Sequence, residues 1–196
     1  MATTNATRKT WLRRAGRGIL PDGATLIWSV ADGERGRRWR ATAILDGRVT
    51  HAVMLESSPG GRPLRLELAT ASGLLTLHPA DDGRSIHGNI VHVAGVRPLA
   101  FAWSKEHELE IVDRPGPSVL MLRRLAKTVE VGGGETVPVL SVDASLVVRP
   151  GHRLVRRLGP ERWLIADTTA AREITIDVDG DGIPILGAPA DWPLDD

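Results

Sequence analysis

The chain has 196 residues, 25 Lys or Arg against 24 Asp or Glu, and no Cys. Without cysteine there are no disulfide frameworks, thiolate zinc sites, iron–sulfur clusters or cysteine nucleophiles, and a net charge of +1 argues against a generally basic surface for nucleic acid. A composition 42% hydrophobic and 25% charged fits a folded domain, and no window approaches the roughly 18 apolar residues of a membrane span or resembles a secretory leader, so the expectation is a cytoplasmic protein.

Residues 1–23 read as a basic N-terminal arm, with Arg8, Lys9, Arg13, Arg14 and Arg17 and no acid before Asp22. A solvated, poorly ordered tail is expected, with contact to phosphates or an anionic membrane as the alternative. Trp11, Leu12 and Ala15 suggest one short helix over Thr10–Gly16.

From Ala24 onward the 21 Gly and 13 Pro of the chain punctuate runs rich in Val, Ile, Leu and Thr, which is strand spacing. The strands expected are Ala24–Val30, Arg38–Leu45, Val49–Glu56, Pro63–Ala69, Leu74–His78, Ser85–Val93, Val96–Trp103, Glu108–Val112, Ser118–Lys127, Glu135–Asp143, Ser145–Arg149, Arg153–Leu158, Arg162–Ala166 and Arg172–Val178. Asp46-Gly47 is type I′ hairpin chemistry; Pro59-Gly60-Gly61, Asp81-Asp82-Gly83, Gly132-Gly133-Gly134, Pro150-Gly151 and Gly159-Pro160 suit further turns. Alternation gives one wet face to the runs holding Leu64, Leu66 and Leu68, Leu109 and Ile111 beside Glu108 and Glu110, and Ile174, Ile176 and Val178. By contrast, Val119–Leu122 and Val137–Leu140 are apolar at both parities and need cover on both sides. The fold class is therefore all-β and mainly antiparallel, a large partly closed sheet with at most one or two helices, forming a single domain over residues 24–196.

Asp177-Val178-Asp179-Gly180-Asp181-Gly182 opens like a calcium loop, but its twelfth position is Ala188 and Pro184 blocks the following helix, so a structural turn is the preferred reading. His87 and His92 fall on opposite strand faces, and His51, His78, His107 and His152 are isolated; no metal site, cofactor or catalytic constellation is assigned. Trp28, Trp39, Trp103 and Trp163 fit core packing first and a sugar- or lipid-stacking lining second. On a strand over 118–127, Arg123 would share a face with Met121 and Leu125, needing an anion, a carboxylate or a route to solvent.

The segment Arg114-Pro115-Gly116-Pro117-Ser118-Val119-Leu120-Met121-Leu122-Arg123-Arg124-Leu125 resembles the signature T-P-F-T-N-T-L-P-I-R-R-L of a bacterial glycolipid-binding family whose fold is called a spiral β-roll. Pro115, Leu120 and Arg123-Arg124-Leu125 are kept. Leu146-Val147-Val148 with His152-Arg153-Leu154, then Asp177–Gly182 and Trp192, resemble later steps of the same family, so the likeness runs from Arg38 to Trp192. The resemblance implies a long antiparallel sheet wrapped around a helix, with a cavity for a lipid or glycolipid and no catalytic residues. The expected function is non-enzymatic lipid or glycolipid binding in an apolar cavity, with Arg123 or Arg124 at the polar head and Met121, Leu125 and Trp103 in the lining. The alternative is an enzyme working in that cavity with carboxylate or His groups. No nucleic-acid partner and no stable membrane insertion are expected.

Overall fold

A computed structural model describes residues 11–20, 22–112, 114–169 and 172–185. Strand dominates it. The first sheet is an antiparallel meander of eight strands in chain order, β1 (Arg13–Ile19), β2 (Thr25–Gly33), β3 (Gly36–Leu45), β4 (Arg48–Ser57), β5 (Pro63–Thr70), β6 (Gly73–Pro79), β7 (Ser85–His92) and β8 (Gly95–Ala102). It curls into a half-barrel. The second sheet contains β9 (Glu108–Ile111), β10 (Gly134–Val142), β11 (Val148–Arg157), β12 (Arg162–Asp167), β13 (Glu173–Val178) and the short β14 (Pro184–Ile185), in the order β14-β13-β12-β11-β10-β9. All its pairings are antiparallel except β9 with β10. One helix, α1 (Pro115–Leu125), connects β9 to β10.

Turn chemistry fixes much of the register. Asp46 and Gly47 take φ of 51° and 73°, the left-handed pair that a type I′ turn demands. At the start of β3, Gly36 has φ +119°, and a Cβ there would lie 1.9 Å from the Ser57 carbonyl oxygen, so only glycine lets β4 approach. The register of β4 with β5 shifts between Glu56 and Ser57, pairing Arg65 with Glu56 but Pro63 with Ser57. That irregularity takes Leu64 out of the inward series, leaving it exposed while Leu66 and Leu68 are buried.

The curled sheet turns Leu26, Trp28, Trp39, Leu55, Leu66, Leu77 and Ile86 inward onto Leu109, Ile111, Leu120, Leu140 and Val142. The rings of Trp28 and Trp39 stack with centroids 5.1 Å apart. A second apolar cluster lies on the other side of α1, where Met121, Leu122 and Leu125 meet Val137, Val155, Trp163, Ile165 and Ile176 of the second sheet. Trp28, Trp39, Trp103 and Trp163 are all buried, as core packing requires.

Three expectations are corrected. Residues 118–125 are helix, not strand: a segment packed on several sides is apolar at consecutive positions whether it is helix or strand. Pro115 at the first helical position lacks only an N–H that would have no intrahelical partner. The helix expected over Thr10–Gly16 is instead the edge strand β1, whose Arg13–Ile19 pair with Thr25–Ala31; residues 1–10 of the basic arm lie outside the described residues, as do Asp191, Trp192, Asp195 and Asp196. Finally, β11 runs straight through Pro150-Gly151. Its pairing with β12 begins only at Arg153, so Pro150 lies opposite Leu140 of β10 on one side and has no strand to serve on the other, where its missing N–H costs nothing. The reversal before β11 lies at Asp143–Val147 instead, where buried Leu146 adopts φ 61°. No helix among the described residues is long and apolar enough to cross a membrane.

Candidate functional site

The helix divides the site residues expected from sequence. Met121 and Leu125, one turn apart, are both buried against the second sheet and line neither of the two openings at the ends of α1. Trp103 is buried in the other cluster, its ring 5.2 Å from that of His107. Arg123 points elsewhere. Its side chain is 41% exposed, its stem packs over Gly182, and its Nη2 lies 3.6 Å from Asp32. Arg124 donates from Nε to Glu108 at 2.7 Å. These five residues therefore do not converge on one ligand.

At the end of the molecule where α1 finishes, charges neutralise one another. Arg37, buried, bonds both carboxylate oxygens of Asp32, at 2.6 and 3.0 Å, and the Asp181 carbonyl at 3.0 Å. Burial opposes the charge on Asp32, yet the hydrogen bonds and charge of Arg37, with Arg123 nearby, hold its carboxyl below the ordinary range. Asp179 and Asp181 of the turn after β13 both meet Arg14 of β1, at 2.7 and 2.6 Å. Asp179 Oδ1 also accepts the N–H groups of Asp181 and Ile183. The Asp-Gly motif thus pins the second sheet to the edge of the first. No group of three or more His, Asp or Glu side chains suited to a metal ion occurs among the described residues.

At the opposite end, where α1 begins, lies a cleft of ≈ 370 Å³. Leu68, Ile111, Val112 and Ala144 form apolar walls; Thr50, Thr70, Ser145, His51, Arg114 and Asp143 supply polar groups. His51 is only 6% exposed. Its Nδ1 accepts from Arg114 Nε at 3.3 Å, and Thr50 Oγ1 lies 3.4 Å from the same nitrogen. A nitrogen that accepts carries no proton, so the hydrogen of the neutral ring is on Nε2, which has no hydrogen-bond partner among the described residues. Burial, then the positive charge of Arg114, push the imidazole down to about 4, so it stays neutral through the physiological range. Arg114 is anchored in turn by Asp22 at 2.8 Å. Asp143 spends Oδ1 on the N–H groups of Ser145 and Val147 and Oδ2 on Arg149. With each acid matched to an arginine, the cleft offers a fixed N–H and hydroxyls rather than net charge.

In the sequence alone His51 is an isolated histidine. Its parity with buried Val53 and Leu55 places it on the inner face, but Arg114 lies 63 residues away and no local spacing reveals it.

The architecture has a counterpart among solved structures. It is similar to the crystal structure of a DUF1089 family protein from Pseudomonas aeruginosa, with a TM-score of 0.52 and 18% sequence identity over 97% of this chain and 95% of that one. At this identity the likeness establishes the fold, an all-β architecture also found in an uncharacterised bacterial family. No protein-family model and no curated protein matches the chain.

Proposed function

We propose that the protein is a non-enzymatic binder of a lipid or glycolipid, whose hydroxylated head occupies the cleft above His51. The observation that carries this reading is the unspent Nε2–H of a buried, neutral histidine in a cleft walled partly by Leu68, Ile111 and Val112. That N–H opens onto the cleft, where a ligand hydroxyl or ether oxygen would accept from it in place of water. Charge balance within the cleft favours a neutral, sugar-like head over an anion. Leu45, Val49 and Val147, at least 37% exposed at the same end of the sheets, offer apolar surface for the start of a chain.

The same geometry argues against His51 as the base of the enzymatic alternative. A general base needs a free lone pair, and the only one on His51 already accepts from Arg114.

The reading is tested by titrating n-octyl β-D-glucoside, kept below its micellar concentration, into the wild type and His51→Leu, with octanoate as the comparison of equal chain length that carries a carboxylate in place of the sugar. Saturable glucoside binding, weakened about threefold to tenfold in His51→Leu as loss of one neutral hydrogen bond implies, supports it. Equal affinity in the two proteins, or equal affinity for octanoate, overturns it. Native mass spectrometry of freshly purified protein would report a retained amphiphile directly.

A further inference from the structure

A second opening, an open groove of ≈ 500 Å³, lies at the other end of α1 and shares no residue with the His51 cleft. It is lined by Ser58, Gly60, Arg62, Lys105, Glu106 and Arg124. Three cations thus come together from three separate segments: the turn between β4 and β5, the turn before β9, and the last turn of α1.

Their engagement is unlike that of the saturated Arg37 cluster. The Arg62 guanidinium makes no hydrogen bond or ion pair among the described residues; only the backbone of Arg62 is engaged, its N–H donating to Ser58 Oγ and its carbonyl accepting from Ser58 N–H. Lys105 has Glu106 at 3.8 Å, a long contact between two exposed groups. Arg124 is the informative one. Its Nε is fixed by Glu108 at 2.7 Å, while Nη1 and Nη2 make no hydrogen bond among the described residues. A guanidinium anchored through Nε presents the two remaining nitrogens as an oriented fork, which matches the oxygens of a phosphate or sulfate. The anchor is itself rigid, because Glu108 is 2% exposed, beneath α1 and beside Val139 of β10.

We propose that this groove is an oxyanion site, binding a phosphate or sulfate group on the Nη fork of Arg124 with Arg62 and Lys105 as flanking charges, and that Glu108 is its positioning residue. Ser58 Oγ, which accepts from the Arg62 N–H, keeps its own proton to donate to the ligand. Gly60 leaves the floor open, as a Cβ there would meet only Ser58 Oγ at 3.7 Å.

The site is proton-linked. Burial raises the Glu108 carboxyl to about 7, against the opposing charge and hydrogen bond of Arg124 and the charge of Arg62. The next acid on that face of β9, Glu110, is held separately by Arg153. Ionised Glu108 and Glu106 leave one net positive charge among the groove's three cations; protonation of Glu108 leaves two, while its carbonyl oxygen still accepts from Arg124 Nε. Anion affinity therefore rises as pH falls through neutrality.

Inorganic sulfate is the appropriate probe, because it does not titrate in this range. Calorimetric titration of the full chain at about pH 5.5 and about pH 8.5 should show saturable binding, tighter by about threefold to tenfold at the lower pH. Glu108→Gln, which keeps the carbonyl acceptor without the charge, should bind at both pH values as the wild type does at the lower one. Glu108→Ala, which frees the fork, should bind more weakly than Glu108→Gln. Arg124→Lys retains charge but loses the fork and should weaken binding, as should Arg62→Ala on the exposed rim. Absence of saturable binding, equal affinity in Arg124→Lys and wild type, or a pH dependence that persists in Glu108→Gln would each overturn the proposal. Glycerol 3-phosphate binding and retention on phosphatidylcholine vesicles carrying phosphatidic acid then separate a soluble ester from a lipid headgroup. Octyl glucoside binding, read on the same variants, is independent of the outcome.

Discussion

The two ends of α1 each hold one buried titratable side chain against an arginine, and burial acts on the two in opposite directions on the pH scale. His51, beside Arg114 at the start of the helix, is pushed down to about 4. Glu108, beside Arg124 at its end, is raised to about 7. In both cases the apolar surroundings favour the neutral form. At His51 the arginine adds to that effect, because its charge repels a proton; at Glu108 it resists, because its charge attracts the carboxylate. The lesson is that similar Arg-anchored groups can serve different purposes. The histidine remains a constant hydrogen-bond donor, whereas the glutamate changes charge within the physiological range.

The largest effect expected from breaking this comparison is in Arg124→Met. Glu108 is the buried member of its pair and Arg124 the partly exposed one, with side chains 2% and 23% accessible. Removing the arginine strands a buried carboxylate, a loss of about 3–5 kcal/mol when that carboxylate is charged. At pH 8, urea denaturation should show a loss of that order, shrinking at pH 5 where Glu108 takes a proton. Removal of Glu108 leaves an arginine that can reach water, so Glu108→Gln should cost much less. A loss in Arg124→Met that is the same at both pH values would contradict the assignment.

An intermediate effect concerns pH dependence. Unfolded, Glu108 titrates near 4.5 and His51 near 6.5. As pH rises from about 4.5 to about 7, the unfolded chain releases the Glu108 proton that the folded chain retains, draining up to about 3 kcal/mol of stability. As pH falls from about 6.5 to about 4, the unfolded chain takes up a His51 proton that the folded chain refuses, which also lowers stability. The two slopes oppose each other where the windows overlap. Urea midpoints of Glu108→Gln should therefore fall as pH drops below 6.5, those of His51→Gln should fall as pH rises from 4.5, and the wild type should vary less than either. Parallel profiles for the three proteins would remove the basis of the comparison.

How much of this was legible in the sequence depends on how far each signal reaches along the chain. The hairpin at Asp46-Gly47 and the inward series at Leu66 and Leu68 are local, and they give the all-β architecture directly. The helix is also local, but its signal is ambiguous: Leu120, Met121 and Leu122 are all buried because both sheets pack around it, and continuous burial erases the periodicity that separates helix from strand. Pro115 and Pro117 ahead of the apolar run were the available discriminator. Glu108 and Glu110 alternate with Leu109 and Ile111 as on a strand with one wet face, yet Glu108 is buried because α1 and Arg124 return over it. That cover depends on tertiary structure, as does the meeting of Arg114 with His51 and Asp22.

The smallest effect is expected at Arg123, the residue that strand parity would have made central. As part of a strand, it would face a cavity together with Met121 and Leu125. On α1 those two side chains are buried against the second sheet, whereas Arg123 leaves the helix toward Asp32 with 41% of its side chain in solvent. Asp32 already has both oxygens satisfied by Arg37, so the 3.6 Å contact with Arg123 adds a long-range attraction and no hydrogen bond. Exposed pairs of this kind contribute about 0–1 kcal/mol. Part of the side chain's role is apolar, since its Cβ and Cγ sit 3.4 and 3.5 Å from where a Cβ on Gly182 would be. Methionine preserves that stem. Arg123→Met should therefore shift the urea midpoint by no more than such a pair is worth, and leave both octyl glucoside and sulfate affinity unchanged. A marked loss of either ligand in this variant would relocate the binding function to the face of α1 that the present assignment leaves out.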